Sequence, residues 1–220
     1  MAQNVGVSSK KLLVDWHHNP KEKHLNLPWM GKNNHIEHYK CYANCLTAYL
    51  SYVDALTGLD ISQSSGDYDK LLKELSNEVN TDYSTFVKST ESYFKSKNIP
   101  LSIKILSFRN TEGRVDEATL RRFLYDKMLP VIAIIDHEAF NQGRESPNSN
   151  HSVVILGVTT EGYLLYNPIT LRGVEPEHKV KFNSAWKLKL YEGIFLVKKG
   201  MRIQSNKAST GMRTLYDFLG

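Results

Sequence analysis

Cysteine is scarce in this chain. Of its 220 residues only two are Cys, at positions 41 and 45. Two thiols cannot build a disulfide framework, and four residues apart on a helix they are poorly placed to bond to each other. Free thiols in a reducing compartment are the simpler reading. Long apolar runs are missing too. No stretch approaches the roughly 18 consecutive apolar residues that span a bilayer. Near the N-terminus only Leu12, Leu13 and Val14 cluster, too few for the apolar region of a signal peptide. The expectation is a cytoplasmic protein with no membrane partner. No charge sign dominates: the formal net charge is +5, and Lys and Arg are interspersed with Asp and Glu. The exception is the basic stretch KVKFNSAWKLKLYEGIFLVKKGMRIQSNKASTGMR, read as a solvated face plus a tail, with a phosphate-binding patch as the sharper alternative. No nucleic-acid motif accompanies it, so nucleic acid is not an expected partner. Internal repeats and low-complexity tracts are absent as well.

What is present is the composition of an ordinary globular domain, 41% hydrophobic and 23% charged. Residues 1–33 are polar and rich in His, Lys, Asn and Pro, and read as an extended arm pinned by Trp16 and Trp29. Helical spacing runs from about Tyr39 to Leu56, with Leu46, Leu50 and Val53 on one face and Gly58 placed as a C-terminal cap. DYDKLLKELSNEV and DYSTFVKSTESYFKSK read as two further helices, each opening on a capping Asp. After Pro100 the pattern changes. LSIKILSF alternates like a strand, DEATLRRFLYDKM reads as an Asp-capped helix, and LPVIAIID as a buried strand. A polar loop, NQGRESPNSN, leads to HSVVILGV, a turn at TTEG, YLLYNP, a KVKF strand and GIFLVKK. Helices first and an antiparallel sheet second make the class α+β. The organisation is an arm at 1–33, a domain at 34–199 and a basic tail at 200–220.

A thiol nucleophile needs its thiolate stabilised, which a helix N-terminus and an adjacent imidazole provide. The imidazole needs a third group to fix its tautomer, and the oxyanion that forms needs donors. The pieces occur in this chain in that order. His151 opens the VVILGV strand after a polar loop, and Asn167 closes the next strand, where Pro168 stops the ladder. In a hairpin around TTEG, paired residues have numbers that sum to a constant. His151 and Asn167 then lie at the same open end as neighbours.

CYANCLTAYLSY resembles the Cys-Gly-x-Ala-Cys-Leu-Ala-Met-x-Leu-x-Tyr segment of bacteriocin-processing peptidase domains and their stand-alone papain-like relatives. The matches are Cys41, Ala43, Cys45, Leu46, Leu50 and Tyr52. HSVVILGVTTEGYLLYNP is similar to the family's His-x-Val-Val-Val…Asp-Pro segment, with the same sixteen-residue spacing from His151 to Asn167. LYDKMLPVIAII and the AW–GIFLV ending are similar as well, so the resemblance covers roughly residues 35–199. It implies a papain-like cysteine proteinase fold, with a central N-terminal helix packed on an antiparallel sheet. Cys41 would be the nucleophile, His151 the base, Asn167 the orienting group and a peptide or protein the substrate. His35 would share the oxyanion with the Cys41 backbone N–H; the family has Gln there. Tyr42 replaces a family Gly and is expected to narrow the cleft beside the thiol. No cofactor and no metal are implied, and the sequence does not define an oligomeric state.

Other readings stay open. Capping logic favours Asn44 as the N-cap, which would make Cys45 the first helical residue and the nucleophile. An acyltransferase or amidase on the same fold would carry the same triad, and a silent peptide-binding module would keep only the cleft. His35, His38, Cys41 and Cys45 also fall within eleven positions. That would suit zinc if His17, His18 or His24 joined them, as in a zinc-dependent nucleic-acid-binding protein.

Overall fold

The computed structural model describes residues 14–16, 23–31, 40–61, 67–79, 85–146, 149–170 and 173–199. Two short strands, β1 (Val14–Trp16) and β2 (Lys23–Leu25), pair antiparallel with each other. Leu25 and Leu27 are buried in the main core. Three helices follow: α1 (Cys41–Thr57), α2 (Tyr68–Glu78) and α3 (Phe86–Ser96). The main sheet is built from β3 (Leu101–Ser107), β4 (Val131–Asp136), β5 (Asn150–Val158), β6 (Gly162–Tyr166), β7 (Val174–His178) and β8 (Glu192–Lys198). Its order is β3-β8-β4-β5-β6-β7, and every neighbouring pair is antiparallel. The described chain is therefore α+β with an antiparallel sheet.

The strand order follows from sequence character. VIAIID is buried at every position and occupies the interior as β4. VEPEH carries Pro176 and two glutamates and takes the edge as β7, where a missing N–H and exposed charge are tolerated. Helix α1 is buried on nearly all sides; only Ala55 and Thr57 of its residues are not. Its polar members are satisfied locally: Thr47 Oγ1 donates to Ala43 O (2.8 Å), and Asp54 Oδ1 accepts from Ile61 N (2.8 Å). Gly58 ends the helix in the left-handed conformation (φ 68°), its N–H bonded to Asp54 O.

Alternation along β6 separates the two layers. Tyr166 points toward α1, where its hydroxyl accepts from Gly31 N (3.2 Å) and a side chain on Gly31 would meet Asn44 Oδ1. Tyr163, three residues earlier, points the other way and packs on Phe182 of α6 (Lys179–Lys187), with ring centroids 4.8 Å apart.

Three expectations are corrected. KVKF is not a strand but the start of α6; the strand is the preceding VEPEH. His178 caps the helix by accepting from Val180 N, and Phe182, Ala185 and Trp186 form its buried stripe. Asp67 caps α2 as expected, accepting from Lys70 N, but α3 opens after Thr85 with no side-chain cap, and Asp82 lies outside the described residues. DEATLRRFLYDKM gives a short α4 (Glu117–Arg121) that widens into a π-helical turn over Arg122–Asp126, followed by left-handed Met128. The turn has a role: the Tyr125 hydroxyl accepts from Val158 N (2.8 Å) at the end of β5, beyond the last β4 partner at Ile155. An unexpected α5 (His137–Gln142), capped by Asp136, follows β4 directly.

Candidate active site

Helix α1 begins at Cys41, with Lys40 at the N-cap position. The capping reading that started it at Cys45 therefore fails. Asn44 sits within the first turn, its Nδ2 donating back to Lys40 O (3.1 Å), and its side chain caps nothing. Placing Cys41 first sets it at the end of the helix where the N–H groups have no intrahelical partner.

The two residues read as base and orienting group, His151 and Asn167, meet directly. His151 Nε2 lies 2.9 Å from Asn167 Oδ1, and the two residues are 1% and 7% exposed, so water does not compete for the bond. Ile169 N–H also donates to Oδ1 (3.2 Å), which identifies that atom as the amide oxygen. Nε2 must then carry the hydrogen, and Nδ1 is the nitrogen that can take a proton when the ring is neutral.

A fault in the ladder brings these two residues onto one face. The β5–β6 register runs Val158↔Tyr163 and Gly157↔Leu164, then slips to Ile155↔Leu165 and Val154↔Tyr166, with Leu156 as the extra residue. Continued by one pair, it sets Asn167 opposite Val153, on the same face as His151. A strict ladder from the same turn would set Asn167 opposite Val154, on the other face. The constant-sum pairing is thus corrected by the bulge.

The same register explains the contact of Cys45. His137 N–H bonds to Ser149 O, so odd-numbered residues of β5 bond to β4, and even-numbered ones turn their backbone groups toward β6. The next even position beyond Val154 is Ser152, opposite Pro168, which has no N–H to give. Cys45 takes that vacated place, its Sγ donating to Ser152 O at 3.3 Å. Burial pushes the Cys41 thiol up, and hydrogen bonding from Ser152 and from the backbone at Tyr42 and Cys41 opposes it. Cys45 is pushed well up by burial and then by the charge of Cys41.

Tyr42 does not narrow a cleft. Its ring packs 4.7 Å from Phe86 and its hydroxyl lies 3.3 Å from Thr90 Oγ1, inside the core. His137, unnoticed in the sequence, sets its ring edge-to-face with His151 at 5.3 Å between centroids. Ser152 was also missed. Strand alternation beside a candidate base was the available signal for it, whereas nothing in the sequence marked His137. His35, His38, His17 and His18 lie outside the described residues, and among the described residues no three His, Cys, Asp or Glu could hold a metal ion. No described helix is long and apolar enough to cross a membrane.

No family model and no curated protein matches the chain. Among solved structures it is similar to a Bacillus anthracis protein provisionally described as a C39-like peptidase, at 16% identity and a TM-score of 0.47, over 79% of this chain and 96% of that one.

Proposed function

We propose that this chain is a papain-like cysteine hydrolase that cleaves a peptide or isopeptide bond. The observation that carries the reading is the buried bond from His151 to Asn167, on the strand whose next residue, Ser152, accepts from Cys45, one turn into the helix that Cys41 opens. In this reading His151 takes the Cys41 proton at Nδ1, and the sulfur attacks the carbonyl carbon. The oxygen gains the negative charge and is held by the Cys41 backbone N–H, with His35 as the second donor. The C–N bond then breaks as His151 gives its proton to the leaving amine. Water, deprotonated by the same imidazole, opens the thioester and releases the acid. The domain boundaries at 33 and 199, and a peptide or protein as the partner, belong to the same proposal.

An activated ester tests the reaction type without knowledge of the natural substrate. With p-nitrophenyl acetate we expect a burst of p-nitrophenol equal to the protein present and an acetyl group on Cys41. Cys41→Ala should abolish the burst, and His151→Ala should slow it by about a thousandfold or more, because the parts act as a unit. Acetyl spread over lysines, with the same rate in Cys41→Ala, would contradict the proposal.

A further inference from the structure

The bond from His151 Nε2 to Asn167 Oδ1 aims one ring nitrogen, but it does not by itself fix the plane of the ring. The terminal torsion of a histidine has broad wells, and a hydrogen bond tolerates a bend of about 30°. A second contact meets the ring from the neighbouring strand. His137, the first residue of α5, sets its ring edge-to-face with His151, with centroids 5.3 Å apart and planes at 86°. At this separation, well inside the range of favourable aromatic pairs, neither ring can swing freely past the other.

Three features hold His137 there. The β4–β5 ladder runs to Asp136↔Asn150, and the His137 N–H then bonds to Ser149 O (3.0 Å). His137 thus lies two residues along from Ile135, the cross-strand partner of His151, a diagonal placement that aromatic side chains can bridge. Asp136 fixes the turn into α5: its Oδ1 accepts from Ala139 N (2.8 Å) and its Oδ2 from Ser146 N (3.2 Å). One turn on, the Asn141 amide nitrogen lies 3.1 Å from His137 Nε2.

We infer that His137 is a positioning residue for His151: its ring, held by the start of α5 and by Asn141, packs against the His151 imidazole and keeps it in the plane in which Nε2–H meets Asn167. Without that contact the ring can swing off Oδ1, and its hydrogen is then free to sit on Nδ1, the nitrogen that must take a proton. The inference rests on the reading of His151 as the base, but its first test needs no turnover.

Long-range proton–nitrogen correlation spectra of protein with isotope-labelled histidine show which nitrogen of each ring carries hydrogen. They are recorded near pH 8.5, about two units above the ordinary imidazole value, so that the rings are neutral. Loss of signals in His151→Ala identifies that residue. An edge-to-face pair shifts a population by about two- to tenfold. The ratio of the Nδ1–H to the Nε2–H form of His151 should therefore rise by about that factor in His137→Ala, and the p-nitrophenyl acetate burst should slow by up to the same factor. His137→Phe keeps a ring and should restore both. A folded His137→Ala protein with the wild-type His151 spectrum would overturn the inference. Equal changes in His137→Ala and His137→Phe would overturn it too, because the ring would then not be what holds His151. Should His137→Ala fail to fold, His137→Ser, which suits a helix start, is read in the same way. The two ideas fail separately. A His151 spectrum that responds to His137→Ala in a protein without a burst sinks the hydrolase reading and keeps the positioning contact. A normal burst with a His151 spectrum indifferent to His137 sinks the inference alone.

Discussion

Replacing Asn167 with alanine is expected to lower the p-nitrophenyl acetate burst rate by between about a hundredfold and ten-thousandfold, the upper figure being what a wrong imidazole tautomer costs a triad. The argument starts from the hydrogen on Nε2. Asn167 Oδ1 accepts from both His151 Nε2 and Ile169 N–H, so the ring cannot place its neutral lone pair on that side without facing another acceptor. Alanine removes this constraint and leaves a buried ring free to rotate or to hold its proton on the wrong nitrogen. The Asn167→Asp variant gives a different result. A carboxylate in van der Waals contact with Nε2 favours the imidazolium, so the alkaline limb of the pH–rate profile should move up while the acid limb, set by the thiol, does not follow it. Profiles of the wild type and both variants check this. An Asn167→Ala protein that is folded and retains its rate would mean that His151 is held by something other than Asn167.

The second large effect is on stability at high pH. Tyr42, Tyr49, Tyr52, Tyr163 and Tyr166 are fully buried, and burial pushes the ionisation of each of them up. Their folded values lie above the roughly 10 of an unfolded chain. The stability that this represents is fully present below pH 10 and is lost as the pH rises past it, because only the unfolded state releases the protons. Each such group contributes a slope of about 1.4 kcal/mol per pH unit, and five together about 7 kcal/mol per unit. A domain of ordinary stability, about 5–15 kcal/mol, should therefore unfold within roughly two units above pH 10. Tyrosinate absorbance and circular dichroism should change together in one steep transition. Gradual titration of all tyrosines near pH 10, with the fold intact, would contradict the buried placement.

Much of the sheet could be read from sequence because its signals are local. VIAIID and HSVVILGV are apolar runs bounded by turn residues, and they became β4 and β5. KVKF was misread because four residues of perfect alternation fit a strand as well as they fit one turn of a helix. The deciding features, a His178 cap and the Phe182–Trp186 spacing, lie on either side of it. Helix α5 is six residues inside a polar region, too short to show a period. At the candidate site, the approach of His151 and Asn167 could be read in advance. The means of that approach could not. It depends on one extra residue at Leu156, and the adjacent Gly157, a residue type that often marks a bulge, was the available hint. The contact of Cys45 with Ser152 was also hidden, since it depends on which edge of β5 Ser152 presents and on what Pro168 fails to donate.

The central claim is that Cys41 and His151 form an activated pair, and burial alone argues against it by pushing the thiol up. The most direct test is the rate of Cys41 alkylation by limiting iodoacetamide from pH 5 to 9 (approximate limits set around the ordinary thiol range), compared between the wild type and His151→Ala. The account predicts rapid labelling of Cys41 well below the pH at which a free thiol ionises, slowed by the substitution, with Cys45 left unlabelled. Sluggish labelling of both cysteines that His151→Ala does not change would contradict it, and would leave Cys41 as a buried, inert thiol.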